Sequence, residues 1–120
     1  MASRAASVLV IEDEALIRMM LVDMLEEGLG HRVIAVAGNV PDGELLAENA
    51  EFDLAILDVN LIGRNVLPVA QAIEKRGVPF LFVSGYKRTD LPEPFQDRLL
   101  VEKPVQISKL EAAINTALAA

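Results

Sequence analysis

Cysteine is absent from the 120 residues, which excludes disulfide and thiol chemistry and permits a reducing cytosol. No apolar run approaches the length of a membrane span. The N-terminal run SVLVI is far too short for a signal-peptide core and is followed at once by EDE. Positive charge is scarce: 11 Lys and Arg face 18 Asp and Glu, for a net charge of −7. That balance argues against a nucleic-acid surface or an anionic-membrane binder, both of which need basic patches. There is also no repeat, linker or low-complexity tract. What is present is 52% apolar and 24% charged residues, a composition that favours an ordered core over disorder. A chain of this length makes one domain rather than two.

Apolar runs of strand length alternate with helical patterns. Ser7 to Ile11 is β-branched and apolar, and Glu12, Asp13 and Glu14 end it. From Ala15 the period changes, with Ile17, Met20, Leu21, Met24 and Leu25 on one face of a helix that Gly28 or Gly30 stops. Arg32 to Ala37 is a more alternating strand, placed nearer an edge, and Asn39-Val40-Pro41 opens a second helix. The stretch FDLAILDVN, Phe52 to Asn60, is a buried strand that stops abruptly at Asp58. Asn65 is placed to cap a third helix with Val66, Val69, Ala70 and Ile73 inward, ending before Gly77. VPFLFVS is a fourth strand, and Leu99 to Glu102 a brief fifth, broken by Pro104. Ser108 and Glu111 have capping-box spacing ahead of Leu110, Ala113, Ile114, Ala117 and Leu118 on one face of a last helix. Repeated β-α units with strands apolar on both faces predict a doubly wound α/β domain with a parallel sheet and right-handed crossovers.

In such a sheet the carboxyl ends of the strands line one crevice, where strand order reverses. Five polar residues fall there: Glu12 and Asp13, Asp58, Ser84 and Lys103. Each alone has an ordinary explanation as a turn residue, a solvated acid at a helix start or an exposed strand end. Together they are chemically complementary. Carboxylates at ~4 Å repel by roughly 4 kcal/mol per pair at an effective dielectric of about 20, so three of them call for a cation. An all-oxygen site without His or Cys suits Mg²⁺, which keeps waters and welcomes a phosphoryl oxygen. Lys103 offers a mobile point charge and Ser84 a hydroxyl donor for further phosphoryl oxygens. Asp58 is left as the nucleophile, in a reaction that asks mainly for positioning and charge neutralisation.

Through SVLVIEDE, LDVNLIG, FVSG and EKP, spread over the whole chain, the sequence resembles a response-regulator receiver domain of bacterial two-component signalling. The resemblance implies a flavodoxin-like, five-stranded parallel sheet in the order 2-1-3-4-5, with residues 1–120 forming one receiver domain. It implies that Asp58 is the phosphoacceptor and that Asp13, Asp58 and the backbone carbonyl of Asn60 ligate Mg²⁺, with Glu12 acting through water. Ser84 and Lys103 are then the switch residues, while Asn60 and Tyr86 tune dephosphorylation. The phosphodonor is a sensor histidine kinase or a histidine phosphotransfer protein, in the cytoplasm. The only chemistry catalysed is the domain's own phosphorylation and dephosphorylation, and an unspecified protein reads the result.

Two departures stand out. Receivers usually carry an aromatic residue three positions before the lysine, and here Leu100 takes that place, removing the ring of the usual rotamer switch. The segment GYKRTDLPEPFQDR, Gly85 to Arg98, has prolines at 92 and 94 that leave no room for a helix of several turns. The helix between the fourth and fifth strands is therefore expected to be shortened or absent, and activation to order this segment for the partner. PFLFVSGY resembles the alphaproteobacterial receivers named for a Phe-Ala-Thr-Gly-apolar-Tyr motif, with Val83 for the alanine, Ser84 for the threonine, and Tyr86 directly after Gly85. With no output domain after the last helix, a free-standing module is expected. Two other readings are a phosphorylation-independent interaction scaffold, which the intact five-residue set disfavours, and a haloacid-dehalogenase-type phosphatase. The latter wants a second aspartate where Asn60 stands, and its nucleophile normally follows the first strand.

Overall fold

The apolar runs become strands because their side chains have two covered faces to fill. A computed structural model of the chain describes residues 5–61, 64–85, 95 and 98–119. Its main sheet consists of β1 (Ser7–Ile11), β2 (Arg32–Ala37), β3 (Leu54–Asp58), β6 (Phe80–Ser84) and β7 (Leu100–Glu102). The strands run parallel in the order β2-β1-β3-β6-β7. With the two-residue strands β4 (Asn60–Leu61) and β5 (Arg64–Asn65) set aside as a separate antiparallel ribbon, this is the 2-1-3-4-5 order.

Alternation along each strand splits the core in two. Leu9, Ile11, Ala55, Leu57, Phe80 and Phe82 pack with α2 (Val40–Asn49) and α3 (Leu67–Lys75). Val8, Val10, Leu54, Ile56, Leu81 and Val83 pack with α1 (Ala15–Asp23) and α4 (Ile107–Ala119). Every residue of β3 and β6 is buried, as central parallel strands require. β2 alternates exposed and covered positions, in keeping with its place at the edge. Among the described residues, no helix is long and apolar enough to cross a membrane.

The helices largely follow their sequence signals. Asn39 caps α2, its side-chain oxygen accepting the Asp42 N–H at 2.9 Å, with Pro41 in the first turn. Three expectations need correction. Asn65 does not cap α3: it pairs with Asn60 in the small ribbon, and Val66, itself buried, precedes the helix, whose first turn contains Pro68. The fixed φ of that proline and the burial of Val66 shift the start past the asparagine. Ser108 lies inside the first turn of α4, where the Gln106 carbonyl already accepts from Lys109 and Leu110. Met20 is 38% exposed, because the stripe of Ile17, Leu21, Met24 and Leu25 rotates it to the border of the packed face.

α1 runs on into a π turn, Met24–Gly28. The turn brings Gly28 against α4: a Cβ there would lie 2.4 Å from Ile107 Cδ1. Gly30 then takes φ 76°, the left-handed conformation that glycine accepts without strain. The expected shortening of the helix between β6 and β7 falls on residues 86–94, 96 and 97, outside the described residues.

Candidate functional site

Register brings the polar residues together. Ile11 lies opposite Leu57, Asp58 opposite Val83, and Ser84 opposite Glu102. Glu12, the first residue past β1, therefore comes alongside Asp58, and Lys103, the first past β7, comes alongside the end of β6. Backbone bonds hold both: Glu12 N–H donates to Ala37 O at 3.0 Å, and Lys103 N–H to Ser84 O at 2.9 Å. The Lys103–Pro104 peptide is cis.

Among the described residues the side chains form a compact acidic cluster with one cation, Lys103. Oxygens of Glu12, Asp13 and Asp58 lie within 4.8 Å of one another. Lys103 Nζ stands 3.0 Å from Glu12 Oε1 and 3.4 Å from Asp58 Oδ1. Glu12 has no exposed surface, Asp58 and Ser84 are buried, and Asp13 is half-buried. Burial pushes the Asp58 carboxyl up to about 7; the Glu12 charge and hydrogen bonds with Asp13 and Glu12 add to this, while Lys103 opposes it. For Lys103, burial pulls the ammonium down, but Glu12 and Asp58 outweigh it and the net direction is upward.

This donor set fits a hard divalent cation. Glu12 Oε2 accepts the Glu14 N–H at 3.1 Å. Oε1 is buried without an aligned hydrogen-bond partner among the described residues; its 3.0 Å approach to Lys103 is an ion pair only. The Lys103 ammonium is shared between Glu12 and Asp58, so the cluster as a whole keeps a surplus of negative charge. One lysine cannot neutralise three carboxylates. The ligands are all oxygen, and the only histidine, His31, is occupied at the other end of the sheet, where its Nδ1 accepts the Ala6 N–H at 3.0 Å. Such a set favours Mg²⁺ over the metals that prefer imidazole or thiolate.

Four of the five strand-end residues of the sequence reading, Glu12, Asp13, Asp58 and Lys103, meet here through their side chains, and the backbone of Ser84 lies beside them through the Lys103 N–H bond. The side chain of Asn60, in β4, and the whole of Tyr86 lie outside the described residues. Two residues carry more weight than their sequence signals suggested. Arg18 on α1 donates from Nη1 to the Glu12 carbonyl at 2.8 Å, a contact with no motif to announce it. Phe95, which follows the two prolines of the Gly85 to Arg98 segment, is buried edge-on against Phe80 and Phe82, with centroids 5.9 Å away in both cases.

A doubly wound sheet with an acidic cluster and a lysine at its carboxyl edge is the arrangement of a receiver domain. The chain belongs to the response regulator receiver domain family, whose profile matches residues 8–115. It is 38% identical over 114 residues to the transcriptional regulatory protein PdtaR of Mycobacterium tuberculosis, covering 92% of this chain and 55% of that protein. It is 36% identical to the phyllosphere-induced regulator PhyR of Methylorubrum extorquens, covering 98% and 45% respectively. The chain thus spans about half the length of these curated relatives. Among solved structures it is similar to SdrG from Sphingomonas melonis Fr1, with TM-score 0.84 and 35% identity over 98% of this chain and 99% of that one. It also matches the BeF3-activated conformation of SdrG from Pseudomonas melonis Fr1, with TM-score 0.79 and 34% identity over 93% and 95%.

Proposed function

We propose that this chain is a phosphoacceptor switch that takes a phosphoryl group onto Asp58 from the phosphohistidine of a histidine kinase or histidine phosphotransfer protein. The observation that carries the reading is the convergence of Lys103 Nζ on Glu12 and Asp58 at the ends of three separate strands. A carboxylate oxygen of Asp58 attacks phosphorus; the new P–O bond forms as the P–N bond breaks, and the departing imidazole takes up a proton. Asp13, Asp58 and the Asn60 backbone carbonyl would hold Mg²⁺, with Glu12 reaching it through water. When bound, Mg²⁺ supplies charge neutralisation to the phosphoryl oxygens.

Lys103 then exchanges its carboxylate partners for one phosphoryl oxygen, and the Ser84 hydroxyl donates to another. Both sit at the ends of strands that flank residues 85–98, so their movement would reach that segment and α4, where a downstream protein reads the state. Similarity to SdrG, including its BeF3-activated form, supports a site that accepts phosphoryl-like groups and a place among the alphaproteobacterial receivers with the Phe-Ala-Thr-Gly-apolar-Tyr motif. In this reading residues 1–120 act as one receiver domain in the cytoplasm, with no turnover beyond their own phosphoryl group, whose lifetime Asn60 and Tyr86 adjust. Treatment with acetyl phosphate and Mg²⁺, followed by intact-mass measurement, is the test. One phosphoryl group should be added to the wild type and none to Asp58→Asn; equal uptake by that variant refutes the proposal.

A further inference from the structure

Besides its ion pair with Lys103, Glu12 is anchored at three points. Its N–H donates to Ala37 O at 3.0 Å, its Oε2 accepts the Glu14 N–H at 3.1 Å, and its carbonyl accepts from Arg18 Nη1 at 2.8 Å. The first two anchors are backbone groups that the strand and the turn provide in any case. The third is a half-buried side chain that reaches back from α1, more than a helical turn beyond the acidic pair. Its path is cleared by Gly38, just past β2: a Cβ there would stand 3.0 Å from Arg18 Nη1 and 3.7 Å from the Glu12 carbonyl oxygen.

The carbonyl of Glu12 and the N–H of Asp13 belong to one rigid peptide plane. Holding that carbonyl fixes the plane, and with it the direction in which the chain sends the Asp13 side chain relative to Glu12. We infer that Arg18 is a positioning residue for the divalent-cation site, seated over the bare Cα of Gly38 to set the mutual orientation of Glu12 and Asp13. The inference rests on the cation reading proposed above.

Charge and positioning make opposite predictions. A guanidinium acting only as a nearby positive charge disfavours a second cation, so its removal would tighten metal binding. A guanidinium that holds the acids in place raises affinity, so its removal weakens binding. Positioning also has a signature in selectivity. Mg²⁺ demands short, near-octahedral coordination, whereas Ca²⁺ tolerates longer and less regular geometry, so a loosened site loses Mg²⁺ affinity more than Ca²⁺ affinity.

The experiment is titration of the full chain with MgCl₂ and, separately, CaCl₂, followed by amide NMR shifts, for wild type, Arg18→Ala, Arg18→Lys and Gly38→Ala. Arg18→Ala should raise the Mg²⁺ Kd roughly 3- to 10-fold, at or below the lower end of what outer-sphere partners of metal ligands usually contribute because Arg18 acts through the backbone, with a smaller change for Ca²⁺. Arg18→Lys, which keeps one donor, should fall between it and wild type. Gly38→Ala should shift both constants in the same direction as Arg18→Ala by displacing the guanidinium; Gly38 has no left-handed φ to forbid the alanine. Mg²⁺ binding by Arg18→Ala equal to or tighter than wild type overturns the inference and leaves the cation site standing, and so does an equal loss for both ions. If Arg18→Ala does not fold, Arg18→Lys and Gly38→Ala are judged by the same criteria. No Mg²⁺ binding by wild type overturns the cation site itself, and the inference with it.

Discussion

Lys103 Nζ lies 3.0 Å from Oε1 of Glu12, a carboxylate with no exposed surface, so the end of β7 supplies the counter-charge for a buried acid at the end of β1. The same nitrogen reaches Asp58 at 3.4 Å. A lysine in this position stabilises the metal-free protein and, in the proposed function, would compete with the divalent cation.

Replacing it should separate those two effects. In Lys103→Met the metal-free protein is expected to lose about 2–4 kcal/mol, because a buried carboxylate is left uncompensated. Its Mg²⁺ affinity should rise, and saturating Mg²⁺ should restore most of the lost stability. Urea unfolding with and without the ion measures both. Weaker Mg²⁺ binding in the variant would show that Lys103 holds the ligands in place instead of competing.

Removal of a carboxylate from the proposed metal site should act the other way. Asp13→Ala is expected to weaken Mg²⁺ binding by about tenfold or more, since a direct ligand outweighs the outer-sphere partners whose loss already has effects of that size. It should also relieve repulsion in the metal-free cluster. Unchanged NMR titration curves in Asp13→Ala would count against the site.

The raised Asp58 pKa has a definite sign for stability. The folded carboxyl titrates near 7 against 3.8 for the ordinary group, so between those values the folded protein holds a proton that the unfolded chain has released. The stability this contributes is full below about pH 4 and is lost as pH rises through 7. Denaturation of metal-free wild type at pH 5 and pH 8 should show that decline, and Asp58→Asn should lack this component and be the more stable protein at pH 8 by a few kcal/mol. Mg²⁺ affinity should rise over the same window, because the ligand must shed its proton. A parallel pH dependence in wild type and variant would overturn the assignment.

Phe95 is expected to anchor the end of the connection between β6 and β7. Buried, and edge-on to both Phe80 and Phe82, it should lose about 3–5 kcal/mol on truncation to alanine, in the range of other core phenylalanines. Arg98 lies over the Phe80 and Phe95 rings and is paired with Glu74 on α3, which covers this anchor. Equilibrium unfolding gives the value; a loss below about 1 kcal/mol would mean that the ring is dispensable.

The alternation of strands and helices and the five strand-end residues were legible because both are local, whereas the strand order came from the resemblance to receivers. A strand covered on two faces needs an unbroken apolar run, and the residue after such a run lies at the carboxyl edge whatever its partners. The receiver motifs then linked Glu12, Asp13, Asp58, Ser84 and Lys103 to one another. Cap positions were less legible. Asn65 and Ser108 have the right chemistry, but Pro68 and the burial of Val66 decided where α3 starts, and α4 begins before its serine.

By itself the sequence determined which segments form the five strands of the main sheet and which polar residues stand at their carboxyl ends, since these follow from periodicity and from residue type. Only the tertiary structure decided that Lys103 is shared between Glu12 and Asp58, that Glu12 Oε1 lacks an aligned partner among the described residues, and that Arg18 reaches over Gly38 to the Glu12 carbonyl. It also decided that Phe95 is buried edge-on against Phe80 and Phe82. Each of these depends on distances between residues remote in the chain, which strand register and helix packing set and no local pattern encodes.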